Sequence, residues 1–370
     1  MRTRRTTVLL AAALLSSCAP AGQAGLQTGP ERPSRIVLLI GDGVGTAHWT
    51  AARLASPGLS VERFTTMGLV DTRSSSSWIT DSGAGGTAYA SGVRTFNGAI
   101  GVGPDSLPAR NVVEVARDQG WATGIVATSS VTHATPATFV AHVPSRAQEF
   151  DIARDVLASG VDVFLGGGTR WFDGAVRPDS ADLIAQVRSS HTYVTSVAEL
   201  AALDLSSTTR LAGLFAEGHM PSAATRTPTL PEMTRAALAV LGHDPDGFFL
   251  MVEGSQPDWL AHDNAPIDSL VAEVLDFDAA IGVALDWAEA NPGTLVVVVA
   301  DHETGGLAVE LTPDSVYVAG TPRVPFADYT SLEHTAEMVP LFAAGPGAHL
   351  FGGIKDNFRV GQILQELVQR

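Results

Sequence analysis

Three carboxylates stand where chemistry is most easily placed, each directly after an apolar run and beside Gly or His. Asp42 follows IVLLI and lies between Gly41 and Gly43. Glu253 follows FFLMV and precedes Gly254, and Asp301 follows LVVVVA and precedes His302. One such coincidence would be an ordinary turn, because Asp and Gly are common turn residues; three of them point to a site. Behind Glu253 come Asp258 and His262, an i to i+4 pair that a helix places on one face, as two metal ligands require. His334 sits in EHTAEMVP. Carboxylates mixed with neutral imidazoles suit borderline cations such as Zn²⁺, and there are enough of them for more than one ion.

A nucleophile is available in TDSGAGGTAYASG, residues 80 to 92, where Asp81 and Ser82 precede small residues. Ser82 would stand at a helix N-terminus, where free N–H groups and the helix dipole favour an anion. The nucleophile-elbow pattern is excluded, since the second residue before Ser82 is Thr80 rather than Gly.

The elements that must position these residues read as alternating strands and helices. Residues 36 to 40, 124 to 127, 161 to 165, 248 to 252 and 295 to 300 are continuous apolar runs of strand length, as parallel strands covered on both faces require. Between them lie helical patterns at 110 to 119, 146 to 158, 231 to 241 and 267 to 290. The order βαβα predicts an α/β fold, a doubly wound, mostly parallel sheet with helices on both faces, whose ligands bind beyond the carboxyl ends of the strands. That is where Asp42, Glu253 and Asp301 fall.

Composition narrows the rest. The 370 residues are 45% hydrophobic and 17% charged, which excludes a disordered chain, and 37 Gly with 21 Pro exclude a coiled coil. A net charge of −16 makes nucleic acid a poor partner and cations good ones. The single cysteine, Cys18, rules out intramolecular disulfides and Cys-based zinc motifs, so a metal must sit on His, Asp and Glu. The amino terminus reads as an export signal: Arg2, Arg4 and Arg5, then VLLAAALL, too short to span a bilayer. Leu15-Ser16-Ser17-Cys18 resembles a bacterial lipobox. Residues 1 to 17 are then a lipoprotein signal peptide and Cys18 the lipidated amino terminus. Residues 18 to 33 form a flexible tether and 34 to 370 a single catalytic domain. The expected location is exported and periplasmic, held to a membrane only by the lipid anchor.

The motifs IGDGVG (40 to 45), TDSGAGGTA (80 to 88), THATPATFVAHVPSR (132 to 146), LGGG (165 to 168), GLFAEGHMP (213 to 221), VEGSQPDWLAHDN (252 to 264), ADHETGG (300 to 306) and EHTAEMVP (333 to 340), in this order, strongly resemble the bacterial alkaline phosphatases. The resemblance implies metal-dependent hydrolysis of small phosphate monoesters at alkaline pH through a phosphoserine on Ser82. It implies one zinc ion on Asp258, His262 and His334, a second on Asp42, Asp301 and His302, and one Mg²⁺ on Asp42, Thr135 and Glu253. Arg146 would clamp the phosphate, with Asp81, His133 and Trp259 around it, and the protein would be a homodimer. Two residues depart from the best-known bacterial pattern. His133 replaces an Asp and Trp259 replaces a Lys, so the third site is expected to hold Mg²⁺ less tightly and admit Zn²⁺ more readily. The remaining histidines, His48, His142, His191, His219, His243 and His349, are read as structural, as are Trp121, Trp171 and Trp287. Two other functions stay open: a phosphodiesterase or phosphonate hydrolase on the same scaffold, and a non-catalytic zinc-binding protein, which Ser82 with Arg146 argues against. A sulfatase is disfavoured because Ser82 lacks the Pro and Arg its formylglycine motif needs.

Overall fold

The apolar runs become the middle of a ten-stranded sheet. The computed structural model describes residues 32 to 310 and 326 to 369. The lipobox and almost all of the tether lie outside the described residues. The described strands are, in chain order, β1 (Arg35–Gly41), β2 (Thr66–Asp71), β3 (Ala122–Ser130), β4 (Val163–Gly167), β5 (Thr192–Val194), β6 (Leu211–Leu214) and β7 (Phe248–Gly254), then β8 (Thr294–Val299), β9 (Glu303–Thr304), β10 (Leu307–Glu310), β11 (Phe326–Tyr329), β12 (His334–Thr335), β13 (Val339–Ala344) and β14 (Gly353–Asp356). The large sheet has the order β14-β2-β13-β8-β1-β7-β3-β4-β6-β5, and two small ribbons pair β10 with β11 and β12 with β9.

Every pairing in the large sheet is parallel except those of β13, which runs against both β2 and β8. The doubly wound expectation therefore holds. The central strands β1, β7 and β8 are buried along almost their whole length, which is why their sequences are unbroken apolar runs rather than alternating ones. One core cluster extends from Ile36 to Val368. In register, Ile40 pairs with Glu253 on β7 and with Val299 on β8, so Asp42, Glu253 and Asp301 emerge side by side at one edge.

Local signals explain the helices. Helix Leu230–Leu241 starts at Thr229 with a capping box to Glu232, and helix Val112–Asp118 at Asn111 with one to Glu114. Helix Ile267–Ala290 matches its expected range. The helix expected from 146 begins instead at Glu149, after a turn in which Gln148 N–H donates to Ser145 O, so Arg146 lies in the approach to the helix and not on it. Behind Glu253, helix Gln256–His262 carries the Asp258 and His262 pair. No helix among the described residues is long and apolar enough to cross a membrane.

Candidate active site

Ser82 opens helix Ser82–Ser91, all of whose residues are buried. The cap is Asp81, whose carboxylate accepts from Ala84 N at 2.9 Å and from Gly98 N at 3.0 Å. Ser82 is thus the first helical residue, with the free N–H groups of the first turn around it. The helix sits deep because most of its side chains are small or absent. A Cβ on Gly85 would lie 3.0 Å from Asp301 O, and one on Gly86 would lie 2.8 Å from Thr138 Oγ1. Ser82 Oγ lies 3.4 Å from both Asp42 Oδ2 and His302 Nε2.

The tautomers of the histidines decide what they can bind. His262 Nδ1 contacts Leu332 O at 2.6 Å and His334 Nδ1 contacts Thr80 O at 2.8 Å. A carbonyl only accepts, so each Nδ1 carries the proton and each Nε2 presents a lone pair when the ring is neutral. Both Nε2 atoms lie 3.4 Å from Asp258 Oδ1. His302 follows the same logic through Thr304, whose hydroxyl gives its one proton to Asp258 Oδ1 at 2.5 Å and accepts from His302 Nδ1 at 3.1 Å. His302 Nε2 then faces Asp42 Oδ1 and Asp301 Oδ2, each at 3.3 Å. While the imidazoles are neutral these clusters set acceptor against acceptor, and either a bound cation or a proton on an imidazole or carboxyl must satisfy such a set. Histidine nitrogens oriented by carbonyls or hydroxyls are the usual support of metal ligands.

Three groups bring one ligand atom of each member within 4.8 Å of the others: Asp258, His262 and His334; Asp42, Asp301 and His302; and Asp42, His133 and Glu253. Asp42 Oδ1, Asp301 Oδ2, Glu253 Oε1 and Thr135 Oγ1 are buried without a hydrogen-bond partner among the described residues; His133 Nδ1 is unpartnered too, but it carries the ring proton while Nε2 accepts from Arg146, and it offers a lone pair only when that hydrogen bond is given up. Orphaned oxygen lone pairs of this kind fit cations, with the harder oxygen set on the Glu253 side. Arg146 donates from Nη1 to Asp81 Oδ2 at 3.0 Å and from Nη2 to His133 Nε2 at 3.2 Å. The Trp259 ring stands edge-on to His133, with centroids 5.7 Å apart.

Electrostatics give the same picture. Burial, then the negative charge of Asp301, drives the Asp42 carboxyl well above its ordinary range. Burial pushes Glu253 up to about 7, and burial with the charge of Asp258 pushes Asp301 up to about 6. His302 is pushed down to about 3 by burial and by His334. Burial would raise Asp258, but hydrogen bonding from His334 and the charges of His302 and His334 hold it below the usual range. Without cations this site keeps protons on carboxylates that would otherwise be charged.

Sequence reasoning missed the supporting atoms. Thr304 lies inside ADHETGG, two residues after His302, and its hydroxyl was a legible signal. The carbonyls of Thr80 and Leu332 leave no trace in a sequence. Ser129 and Ser255, which donate to Glu253 Oε2 at 3.2 and 2.6 Å, were also overlooked. His48, His142 and His191 are held by hydrogen bonds to the backbone of Gly45, Gly101 and Val161, whereas His219 packs against His133 and Trp259.

Residues 34 to 324 match the family model described as alkaline phosphatase. The chain belongs to the alkaline phosphatase family. Alkaline phosphatase 4 of Bacillus subtilis is 31% identical, over 90% of this chain and 88% of that one. The streptomycin-6-phosphate phosphatase of Streptomyces griseus is 35% identical, over 96% and 95%. In three dimensions the chain is similar to the alkaline phosphatase of the Antarctic bacterium TAB5, with a TM-score of 0.84 and 36% identity over 91% of this chain and 98% of that one. A variant of that enzyme, histidine to aspartate, is described with Mg bound in its M3 site. The chain is thus a metal-dependent phosphatase whose reaction is phosphomonoester hydrolysis.

For this phosphatase the Glu253 carboxyl has a pH signature. Its pKa in the metal-free fold, about 7, lies above the ordinary 4.5, so the stability it contributes is present below that ordinary value and is lost as pH rises towards 7. A Gln at this position stays neutral. In chelated protein, Glu253→Gln is expected to gain stability relative to the parent between pH 5 and 8, by on the order of 3 kcal/mol. Metal ions should reverse the order by stabilising the parent more. Denaturant titrations at the two pH values measure this, and a pH-independent difference would show that Glu253 is ionised in the metal-free fold.

Proposed function

We propose that the phosphatase works by double displacement on Ser82, and the observation that carries this reading is the Ser82 hydroxyl held 3.4 Å from both Asp42 and His302 at a helix N-terminus. The Asp258, His262 and His334 group would hold one zinc ion and the Asp42, Asp301 and His302 group a second. Asp42, Glu253 and Thr135, with His133, would hold the third ion, Mg²⁺. When bound, the ions supply the positive charge that favours an ionised hydroxyl and offsets charge developing on attacking and leaving oxygens.

The chain's own groups do the rest. The Ser82 hydroxyl, which donates towards Asp42 Oδ2, gives its proton to solvent as Oγ bonds to phosphorus; the ester P–O bond breaks, and the leaving alkoxide takes a proton from solvent. The alcohol departs, and water then cleaves the phosphoserine to inorganic phosphate. Arg146 presents a planar fork suited to two phosphate oxygens, and Asp81 holds both this fork and the start of the Ser82 helix. Coupling the clamp to the nucleophile through one carboxylate aligns both on the same phosphorus. Hydrolysis of p-nitrophenyl phosphate against pH, before and after chelation and with zinc and magnesium restored, tests the metal dependence.

Beyond catalysis, the reading includes removal of residues 1 to 17, lipidation of Cys18, a tether of residues 18 to 33, a catalytic unit of residues 34 to 370 and a periplasmic location. These rest on the amino-terminal sequence and on the large core cluster that extends from Ile36 to Val368. Homodimerisation rests on the family resemblance alone.

Three outcomes are expected. Ser82→Ala should lose at least about a thousandfold in kcat while keeping its metal, a residual rate being allowed for direct attack by water; equal turnover would end the double-displacement mechanism. His133→Asp should lower the Mg²⁺ concentration needed for half-maximal activation, as the Mg-containing aspartate variant of the TAB5 enzyme supports. Coincident midpoints would leave His133 without influence on the third ion. Cys18→Ser should move activity from the membrane fraction to the soluble one or stall processing, and a parent protein already wholly soluble would refute the anchor.

A further inference from the structure

The segment after β6 is held against the end of β4 with unusual firmness. A Cβ on Gly167 would run into the carbonyl oxygen of Gly218, so the LGGG run ends in glycine where another backbone lies on it. Met220 N–H donates to Thr128 O at 3.2 Å, and the Gln256 amide donates to Met220 O at 2.7 Å and to Pro221 O at 3.2 Å. Beyond them is Arg226, whose side chain is 1% exposed. Its guanidinium donates to Pro221 O at 3.0 Å, Asp276 at 2.6 Å and Glu273 at 2.7 Å, and Glu273 also accepts from Ala223 N at 2.6 Å. Removing one member of such a buried ionic set leaves uncompensated charge, so the arrangement is rigid.

At the tip of this braced segment is His219. Its Nδ1 accepts from Ser130 N–H at 3.1 Å, so Nε2 carries the proton in the neutral ring. The ring centroid lies 5.2 Å from that of His133, nearly perpendicular at 85°, and 4.6 Å from that of Trp259. Three rings therefore enclose one another beside the Asp42, His133 and Glu253 group. A histidine ring turns easily about its last torsion. Arg146 holds one edge of the His133 ring by a hydrogen bond to Nε2, and His219 and Trp259 add edge-on ring contacts that also limit its rotation.

We propose that His219 is a positioning residue for His133, fixing by ring contact the nitrogen that His133 offers to the third ion. The proposal rests on reading Asp42, His133 and Glu253 as part of a metal site. Loosening His133 weakens the third ion while the two other groups, which His219 does not touch, are unchanged. Residues that orient metal ligands typically change metal affinity by about 10- to 100-fold.

The test uses metal-stripped protein titrated with Zn²⁺ alone and followed by calorimetry, the third-site equivalent being the one lost in Glu253→Gln. His219→Phe keeps a ring and loses the acceptor for Ser130 N–H; His219→Asn keeps an acceptor and loses the ring; His219→Ala loses both. The expected result is a third equivalent kept within about twofold in His219→Phe and weakened about tenfold in His219→Asn and His219→Ala, with the tighter equivalents intact. If the Asn variant binds like the parent and the Phe variant does not, His219 acts through the backbone and the proposal is wrong. It is equally wrong if all three bind like the parent. If no equivalent is sensitive to Glu253→Gln, the three-ion reading itself fails, independently of His219. The side chain is exposed, so the variants should fold; the melting temperature of each metal-free variant checks this.

Discussion

Mutual repulsion among buried acceptors is the constraint around which this molecule is arranged. Asp42, Glu253, Asp258 and Asp301 crowd one edge of the sheet with the lone pairs of three imidazoles, and protons on raised carboxyls relieve the crowding only in the absence of cations. A fold that tolerates this must spend stability elsewhere, and the long apolar strands β1, β7 and β8 on which these residues are mounted provide it. The same strands fix the geometry, because parallel register carries three chain segments far apart in sequence to one level. The site's charge and the core's lack of it are two halves of one design.

Much of this was legible in the sequence for a physical reason. A buried parallel strand must be apolar throughout, so it announces itself, and whatever follows it lies at the carboxyl edge. Asp42, Glu253 and Asp301 could be placed together on that argument alone. Asp258 and His262 were legible through helical spacing. Arg146 and Thr135 were not, since neither spacing nor flanking pattern distinguishes them, and only the family resemblance singled them out. The boundary near Arg146 was misplaced because a turn from Ser145 to Gln148 looks like a helix start by composition. His219 was read as structural because its importance depends on a contact with His133, eighty-six residues earlier in the chain.

Asp81 shows how economically the site is connected. One carboxylate caps the Ser82 helix, accepts from Gly98 N–H and pairs with Arg146. Hydrogen bonds and Arg146 hold it in its charged form against the opposing effect of burial. Unlike Asp42 or Glu253, it has its positive partner inside the protein. The site thus contains two kinds of carboxylate, one neutralised by the chain and one left open to be neutralised from outside.

The reversed direction of β13 has a consequence for how the molecule is assembled. In a parallel strand the preceding residues lie at the far edge of the sheet, but β13 runs the other way, so His334, shortly before it, arrives at the same edge as Asp42. The group containing Asp258 and His262 therefore closes only when one of the last strands has been laid down. An ion held by the proposed Asp258, His262 and His334 ligands would therefore tie the strand segment before β13 to the Gln256–His262 helix. A polypeptide truncated before residue 334 would lose the third of these proposed ligands along with β13 and β14, leaving β2 without a partner in the sheet.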